Sequence, residues 1–183
     1  MPDVIVVGGG AAGLSAGLFT AKNDLETVLF DTDETWLHSA HLYNYLGIES
    51  TDGTAFVEDA REHARSHGVD LREAEVTSVA RDGDGFTVEA DGDEHAADSL
   101  VLATGSDRSL AEDLSCATTD EGLVDVDLSM ETSVDGAYAT GAMIRQDEWQ
   151  AIISAGDGAA AALSILSTAA GERVHDWDVP DEE

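Results

Sequence analysis

The sequence predicts an α/β protein in which a single domain is built around a central parallel β-sheet. The run Val4–Val7 is apolar and β-branched, as expected for a parallel strand covered on both faces. A glycine-rich stretch, residues 8–13, follows, and Leu14 and Leu18 then recur at helical spacing before a second apolar run at Thr27–Phe30. The order strand, glycine turn, helix, strand is a βαβ unit, and 183 residues suit one domain of roughly 100–200 residues.

The middle of the chain predicts a helix and a small antiparallel sheet. Residues Trp36–Ile48 are aromatic, histidine-rich and irregular, and an apolar stripe then predicts a helix over Ala55–Ser66. Over Val69–Ala97, short apolar runs alternate with Asp-Gly pairs, a pattern typical of an antiparallel meander with hairpin turns. Ser99–Ala103 again has the composition of a buried strand.

The last third of the chain predicts two further short strands and a long helix. Ser106–Val134 is polar and acidic, with a short strand expected at Leu123–Val126. Gly136–Thr140 predicts another short strand, and the small apolar residues within Glu148–Ala170 predict a tightly packed core helix.

The charge balance excludes several classes of function. Asp and Glu number 39 against 8 Lys and Arg, which gives a formal net charge of −31, and Lys22 is the only lysine. Binding to nucleic acid or to an anionic membrane needs clustered basic residues, so we expect neither. This excess of carboxylates resembles the proteins of salt-loving archaea, in whose cytoplasm molar salt shortens the Debye length to about 3 Å.

We expect a soluble, cytoplasmic protein in a high-salt cytosol. The N-terminal residues lack the basic leader and the apolar core of a signal peptide. The longest apolar stretch, Ala159–Ala170, is shorter than the length needed to cross about 30 Å of hydrocarbon. Cys116 is the only cysteine, which excludes an internal disulfide and suits a reducing compartment.

A dinucleotide-binding fingerprint, G-x-G-x-x-G, stands at Gly8, Gly10 and Gly13, after a strand and at the start of a helix. The first glycine permits a tight turn, the second lets the backbone approach a pyrophosphate, and the third lets helix and strand pack closely. Asp31 ends the second strand, where a carboxylate accepts hydrogen bonds from an adenosine ribose and disfavours a 2′-phosphate. The sequence therefore predicts FAD or NAD rather than NADP; the alternative is a glycine turn without a ligand.

Several further segments occur in a recognisable order. They are Val4–Gly17, Asn44-Tyr45-Leu46-Gly47, Leu102-Ala103-Thr104-Gly105, Thr132–Gly141 and Gln150–Gly158, followed by Ala161-Ala162. Together they resemble the FAD-binding part of the thioredoxin-reductase-like branch of the pyridine nucleotide-disulfide oxidoreductases. The resemblance implies that residues 1–183 form a single FAD/NAD(P)-binding Rossmann-like domain. Residues 1–105 and 136–171 would be its two halves, and 106–135 a short replacement for an inserted NADPH domain.

By this resemblance the cofactor is FAD. The residues expected at the diphosphate belong to the glycine turn and the start of its helix: Gly8, Gly10, Ala11, Ala12 and Gly13. Those expected near the adenosine are Asp31, Val76, Ala103, Thr104 and Gly105. Those expected near the ribityl chain and the flavin are Asn44, Gly141, Ala142, Trp149, Gln150 and Ala151. A helix start at Gln150 suits a flavin because its positive partial charge stabilises the reduced anionic ring.

The sequence also departs from this family. Residues 106–135 are too few for the NADPH domain, since a single βαβ unit already needs about 30 residues. The Cys-x-x-Cys of that domain is absent as well, so we expect Cys116 to be a small apolar residue rather than a redox thiol. Ala142 replaces an aspartate and Trp149 an arginine. Trp149 either covers the flavin or fills the gap left by the second domain.

The candidates for catalysis are Cys116, His38 and His41, of which the two histidines share one loop. The family places their loop beside the flavin, where a histidine can give a proton to flavin or substrate; the alternative is packing of the loop. His63 and His67 are one helical turn apart, but their charged neighbours favour a solvated helix face. We predict no metal site.

Three hypotheses about function follow. The first is an FAD flavoprotein oxidoreductase that takes electrons from a partner protein or a small reductant. It passes them through the flavin to an unidentified acceptor. The second is a short NAD-binding oxidoreductase. The third is a non-catalytic FAD-binding or assembly subunit, because the face left by the missing domain is expected to invite a partner or a homodimer.

Overall fold

Residues 1–179, which the computed structural model describes, contain ten strands and four α-helices. In chain order these are β1 (Val4–Val7), α1 (Ala11–Lys22), β2 (Thr27–Asp31), β3 (His41–Leu42), β4 (Thr51–Asp52), α2 (Gly53–Ser66), β5 (Asp70–Glu73), β6 (Val76–Asp82), β7 (Gly85–Ala90), β8 (Asp93–Ala97), β9 (Ser99–Leu102), α3 (Ser109–Asp113), β10 (Ala137–Ala139) and α4 (Ala151–Ala170).

The predicted parallel sheet is confirmed, with strand order β10-β9-β1-β2-β5. From β1 the chain builds β2 and β5 on one side, whereas β9 and β10 lie on the other side. The gap between the carboxyl ends of β1 and β9 is therefore the point at which the strand order reverses. Open α/β sheets bind ligands at such a point, outside the carboxyl ends of their strands.

The antiparallel meander is smaller than predicted. Strands β6, β7 and β8 form it, with two-residue turns at Gly83-Asp84 and Asp91-Gly92. The prediction was wrong for Asp70–Glu73, which pairs in parallel with β2 instead, Val28 opposite Asp70. This strand lies at the edge of the sheet and is mostly exposed, so its polar sequence carries no signal of a buried parallel strand.

Helices α2 and α4 differ from their predicted bounds at the N-terminus. Helix α2 begins at Gly53 rather than Ala55 because the Asp52 carboxylate accepts hydrogen bonds from the N–H groups of Thr54 and Ala55. Helix α4 begins at Ala151 rather than Glu148, since the backbone of Gln150 is still extended.

Two further segments differ from their predicted secondary structure. Within Trp36–Ile48, the chain makes a 3₁₀ turn over Trp36–Ser39, and the short strand β3 pairs with β4. The prediction of a strand at Leu123–Val126 was wrong, because Val124 makes only an isolated bridge to Thr118. Asp125 beside it is exposed, and no pair of residues next to Val124 and Thr118 continues the bridge into a ladder.

Helix α4 is longer than the apolar stretch identified in the sequence. Its length and composition are sufficient for a membrane span, a test that core helices of soluble proteins also pass. It packs along α1, where Ala161, Ala162 and Ile165 are buried. At the crossing, a Cβ on Gly158 would lie 2.0 Å from the carbonyl oxygen of Ala12, so only glycine permits this approach.

The helix crossing can be tested with a pair of alanine substitutions in α4. We expect Gly158→Ala to lower the free energy of unfolding by about 1–3 kcal/mol, because its methyl group forces the two helices apart. Gly156→Ala is the control, since its Cβ meets nothing within 4 Å; it should raise stability by up to about 1 kcal/mol through helix propensity. Denaturant unfolding at one fixed KCl concentration measures both, and equal effects of the two variants would contradict the crossing.

Candidate cofactor site

A cleft of about 780 Å³ lies at the carboxyl ends of the parallel strands. Its walls are the segments that follow β1, β2, β5, β9 and β10, together with the N-termini of α1 and α4. The volume falls within the roughly 300–1,000 Å³ of small-molecule and cofactor sites. The cleft therefore occupies the position in the fold at which this class of sheet binds ligands.

The glycine turn between β1 and α1 forms the floor of the cleft by close backbone contacts. Gly8 has φ of +106°, and a Cβ there would lie 2.3 Å from the carbonyl oxygen of Ala103. A Cβ on Gly13 would lie 1.8 Å from the carbonyl oxygen of Gly8. The positive φ of Gly8 fits the tight turn expected there, and Gly13 lets α1 pack closely against that turn.

Two helices point their N-termini into the same cleft. Helix α1 begins at Ala11 and α4 at Ala151, and neither carries an acidic residue in its first turn. The free N–H groups and the macrodipole of each helix give positive potential at these ends. Such an end binds phosphate oxygens without a basic side chain.

The structure brings almost all of the predicted cofactor residues together. The cleft is lined by every residue of that set except Gly13, namely Gly8, Gly10, Ala11, Ala12, Asp31, Asn44, Val76, Ala103, Thr104, Gly105, Gly141, Ala142, Trp149, Gln150 and Ala151. Gly13 lies beneath the turn and acts through packing. Trp36 and Thr35 also line the cleft and were absent from the predicted set.

Asp31 sits at one end of the cleft as a buried carboxylate with one partner on each oxygen. Its Oδ1 accepts a hydrogen bond of 2.8 Å from the N–H of Gly9, and its Oδ2 pairs with the guanidinium of Arg61. The sequence analysis did not identify Arg61, because it lies on α2 and no local pattern links it to Asp31. The second neighbour of Arg61 is Asp33, whose pKa is lowered by hydrogen bonding to His38 and by the charge of Arg61.

The other end of the cleft is closed by two contacts that cross it. The side-chain amide of Asn44 donates a 2.6 Å hydrogen bond to Gln150. Beside it, the rings of Trp36 and Trp149 lie 5.4 Å apart, and the Trp149 indole also donates to the carbonyl of Arg145. The segment before α4 is held by the ion pair of Arg145 with the buried Asp157, which raises the pKa of Arg145.

The three weaker candidates are separated from one another. His41 lines the cleft and its ring lies 2.8 Å from the Ser50 hydroxyl. His38 is bound to Asp33 and Thr54 away from the lining. Cys116 packs against the core beneath the sheet, with its Sγ 3.5 Å from the Thr132 hydroxyl. Within residues 1–179, no group of three or more His, Cys, Asp or Glu side chains has the geometry of a metal site.

The electrostatics of the cleft are dominated by carboxylates. Asp31, Glu34, Glu75 and Asp107 line it, and none of the described lining residues is lysine or arginine. Asp107 stays ionised over a wide range because the N–H of Ser109 bonds to it and lowers its pKa. Any diphosphate held here is therefore stabilised by backbone N–H groups and helix ends, against a background of negative charge.

The residues present fit an adenine dinucleotide with a diphosphate. Above the turn, a Cβ on Gly10 would meet only the Thr35 hydroxyl oxygen, at 3.4 Å, so this glycine leaves open space next to the N-terminus of α1. A buried carboxylate lies at one end of the cleft, and an aromatic and amide-lined region lies at the other. Fold and cleft together define a Rossmann-type FAD-binding protein.

The comparisons with known proteins agree with this class. The profile of the family described as pyridine nucleotide-disulphide oxidoreductase matches residues 50–159, and an FAD-binding-domain profile matches residues 3–41. The chain belongs to the pyridine nucleotide-disulphide oxidoreductase family.

Among curated proteins, the chain is similar to thioredoxin reductases. It is 29% identical to that of Listeria monocytogenes over 109 residues, which is 57% of this chain and 34% of the relative. It is 30% identical to that of Treponema pallidum over 112 residues, or 57% of this chain and 36% of the relative. The alignment thus spans about a third of the length of these relatives.

Solved structures show the same fold at low sequence identity. A thioredoxin reductase from Gloeobacter violaceus has a TM-score of 0.89 at 20% identity, covering 97% of this chain and 99% of that one. An atypical thioredoxin reductase from Desulfovibrio vulgaris has 0.86 at 16%, covering 94% and 99%. A ferredoxin-flavin thioredoxin reductase from Clostridium acetobutylicum has 0.81 at 17%, covering 93% and 99%.

The open space at Gly10 can be tested by filling it with a side chain. We expect Gly10→Val to weaken FAD binding by at least about 100-fold, because its side chain occupies the space next to the N-terminus of α1. Folding should be retained, since the Cβ meets only one hydroxyl. Calorimetric titration with FAD and denaturant unfolding measure the two effects separately. FAD affinity equal to that of the unmodified protein would show that the cofactor does not use this turn.

The carboxylates of the cleft predict an unusual salt dependence. Raising KCl from about 0.15 M to about 1 M shortens the Debye length from about 8 Å to about 3 Å, which screens repulsion of the diphosphate. We therefore expect FAD to bind about tenfold more tightly at the higher concentration. Titrations are made only where far-UV circular dichroism shows a folded chain, and the Glu34→Gln, Glu75→Gln double variant should respond less steeply. Weaker binding at high salt would contradict this electrostatic description.

Proposed function

We propose that this protein is a flavoprotein oxidoreductase that carries electrons through FAD without a nicotinamide-binding domain of its own. The main support is the short connection between β9 and β10. These strands are neighbours in the sheet, and the residues between them contain one five-residue helix, α3, and no further sheet. When bound, FAD supplies the acceptance and release of electrons.

The connection behaves as an integral part of the domain. Leu110, Ala111 and Val124 are buried in the same core cluster as β9 and β10. The N–H of Val124 donates a 3.1 Å hydrogen bond to the carbonyl of Met143, which fastens the segment beside the cleft. Burial and backbone pairing of this kind support a fold in which this connection stands in place of an inserted nicotinamide domain.

The thiol content supports the same proposal. Cys116 is the only cysteine of the sequence, so the chain cannot form an intramolecular disulfide. Its side chain is half-buried against the core and does not line the cleft. Electrons that arrive at the flavin therefore leave to another molecule rather than to an internal disulfide.

Exchange of electrons is proposed to occur at the end of the cleft closed by Asn44 and Gln150. Exposed apolar side chains surround this end: Trp36 is 57%, Tyr43 74%, Leu46 89% and Trp149 47% exposed. They offer contact area to a protein donor, and one structural neighbour is named a ferredoxin-flavin thioredoxin reductase. A small redox protein is accordingly the donor class that we propose.

Within the site, the chain's own residues bind and shield. The N-terminus of α4 provides positive potential that favours added negative charge on a nearby ring. We propose that Trp36 and Trp149, whose rings lie 5.4 Å apart at this end, shield a bound ring from water. Among the described residues that line the cleft, His41 is the one histidine, and it is the candidate for moving a proton.

The working environment and the oligomeric state of the protein are also proposals. The net charge of −31 supports a high-salt cytosol as the working environment. Association into a homodimer, expected from the sequence, is tested by sedimentation velocity in molar KCl.

The choice of electron donor tests the proposed function. The FAD-loaded protein is mixed anaerobically with NADH, with NADPH, and with a reduced one-electron donor such as the methyl viologen radical. We expect rapid bleaching of the flavin absorbance with the one-electron donor and only slow, non-saturating reduction by either nicotinamide, because the described connection between β9 and β10 forms no second nucleotide-binding fold.

Three outcomes would contradict the proposal, and each has a different meaning. Rapid, saturable reduction by NADH or NADPH would show that this chain itself binds and oxidises a nicotinamide cofactor. A bound flavin that no donor reduces would favour a non-catalytic FAD-binding subunit. Binding of NAD without any affinity for FAD would favour the short NAD-dependent oxidoreductase.

A further inference from the structure

We propose that Arg61 is a positioning residue that holds Asp31 ready for the adenosine ribose of FAD. Arg61 lies on α2, outside the cleft lining, and acts through its ion pair with Asp31. The proposal rests on FAD binding in the cleft and not on the route of the electrons.

The hydrogen bonds of Asp31 leave one acceptor position on each oxygen. Oδ1 accepts the N–H of Gly9 and Oδ2 accepts Arg61, whereas each carboxylate oxygen can accept two hydrogen bonds. The 2′ and 3′ hydroxyls of a ribose are two neighbouring donors. A carboxylate whose plane is fixed from both sides therefore presents two free acceptors in one orientation.

Burial explains why Asp31 needs a cationic partner. Its side chain is only 7% exposed, and burying a carboxylate is unfavourable unless a charged partner pairs with it. The guanidinium of Arg61 is that partner, and removing it would leave the buried carboxylate unpaired.

Contacts with neighbouring side chains also hold the Arg61 side chain in place. Its Nη2 lies 3.0 Å from Asp33, and Asp33 in turn bonds to His38 at 2.9 Å. The other nitrogen of the His38 ring lies 3.1 Å from the hydroxyl of Thr54, which is also on α2. Two links thus fasten α2 to the end of β2, one through Arg61 and one through His38.

Two further features fit a guanidinium placed for Asp31. The Nε of Arg61 is buried and makes no hydrogen bond. The ion pair with Asp31 therefore leaves one hydrogen-bond donor of the guanidinium unsatisfied. One arginine between two carboxylates leaves the group with net negative charge. That charge suits hydroxyl donors and opposes a 2′-phosphate, as expected for the adenosine of FAD.

The test compares ADP with 2′-deoxy-ADP, both of which occupy the adenosine half of the site without any flavin. Calorimetric titration in molar KCl should show that the unmodified protein prefers ADP by about tenfold, as expected for one hydrogen bond to a charged acceptor. In Arg61→Gln this preference should fall to about twofold or less, as it should in Asp31→Asn. The double variant should lose no more than either single variant.

Arg65→Gln is the matched control, because Arg65 lies on the same helix and is exposed. It should retain the full preference for ADP. If Arg61→Gln does not fold, Arg61→Lys decides the question: the lysine keeps the charge but not the two-sided geometry, so part of the preference should be lost.

Three results would overturn the proposal. One is an equal loss of affinity for ADP and 2′-deoxy-ADP in Arg61→Gln, which would make Arg61 a packing residue only. The second is no change of either affinity in Arg61→Gln or, where that variant is unfolded, an unchanged preference in Arg61→Lys. The third is an unmodified protein that binds the two nucleotides equally.

Discussion

The structure depends on one electrostatic constraint: a chain with a net charge of −31 has to hold an anionic diphosphate in a cleft lined by carboxylates. Basic side chains do not solve this problem, since the single lysine and all the arginines lie outside the described lining of the cleft. The backbone solves it instead. The N-termini of α1 and α4 converge on the same space, and their unpaired N–H groups supply positive potential that does not add to the acidic surface.

Convergence of the two helix ends requires close backbone packing, and the glycines provide it. Gly13 lets α1 lie against the turn at Gly8, and Gly158 lets α4 cross α1 at Ala12. A side chain at either position would separate the helices from the sheet or from each other. The same crossing buries the small residues of α4, so cofactor site and core depend on one set of contacts. The short connection between β9 and β10 leaves this arrangement intact, because both strands still pair in the sheet.

Much of the fold and of the cleft could be predicted because the signals are local. The run Val4–Val7, the glycine turn and Asp31 follow one another within a single βαβ unit, and each has its own physical reason. The parallel pairing of Asp70–Glu73 could not be predicted, because an exposed edge strand needs no apolar pattern. Arg61 was missed for a related reason: its partner is 30 residues away, and nothing in α2 distinguishes it from Arg65. Asn44 and Gln150 were predicted to approach a flavin, but their bond to each other joins residues 106 positions apart.

The most direct test of the account is the cofactor content of the protein purified in molar KCl. Its absorbance spectrum, together with mass analysis of whatever small molecule is released on unfolding, identifies the occupant of the cleft without a prior assumption. The account predicts a yellow protein that releases FAD in proportion to the chain. A colourless protein that takes up no FAD when titrated under the same conditions would contradict it.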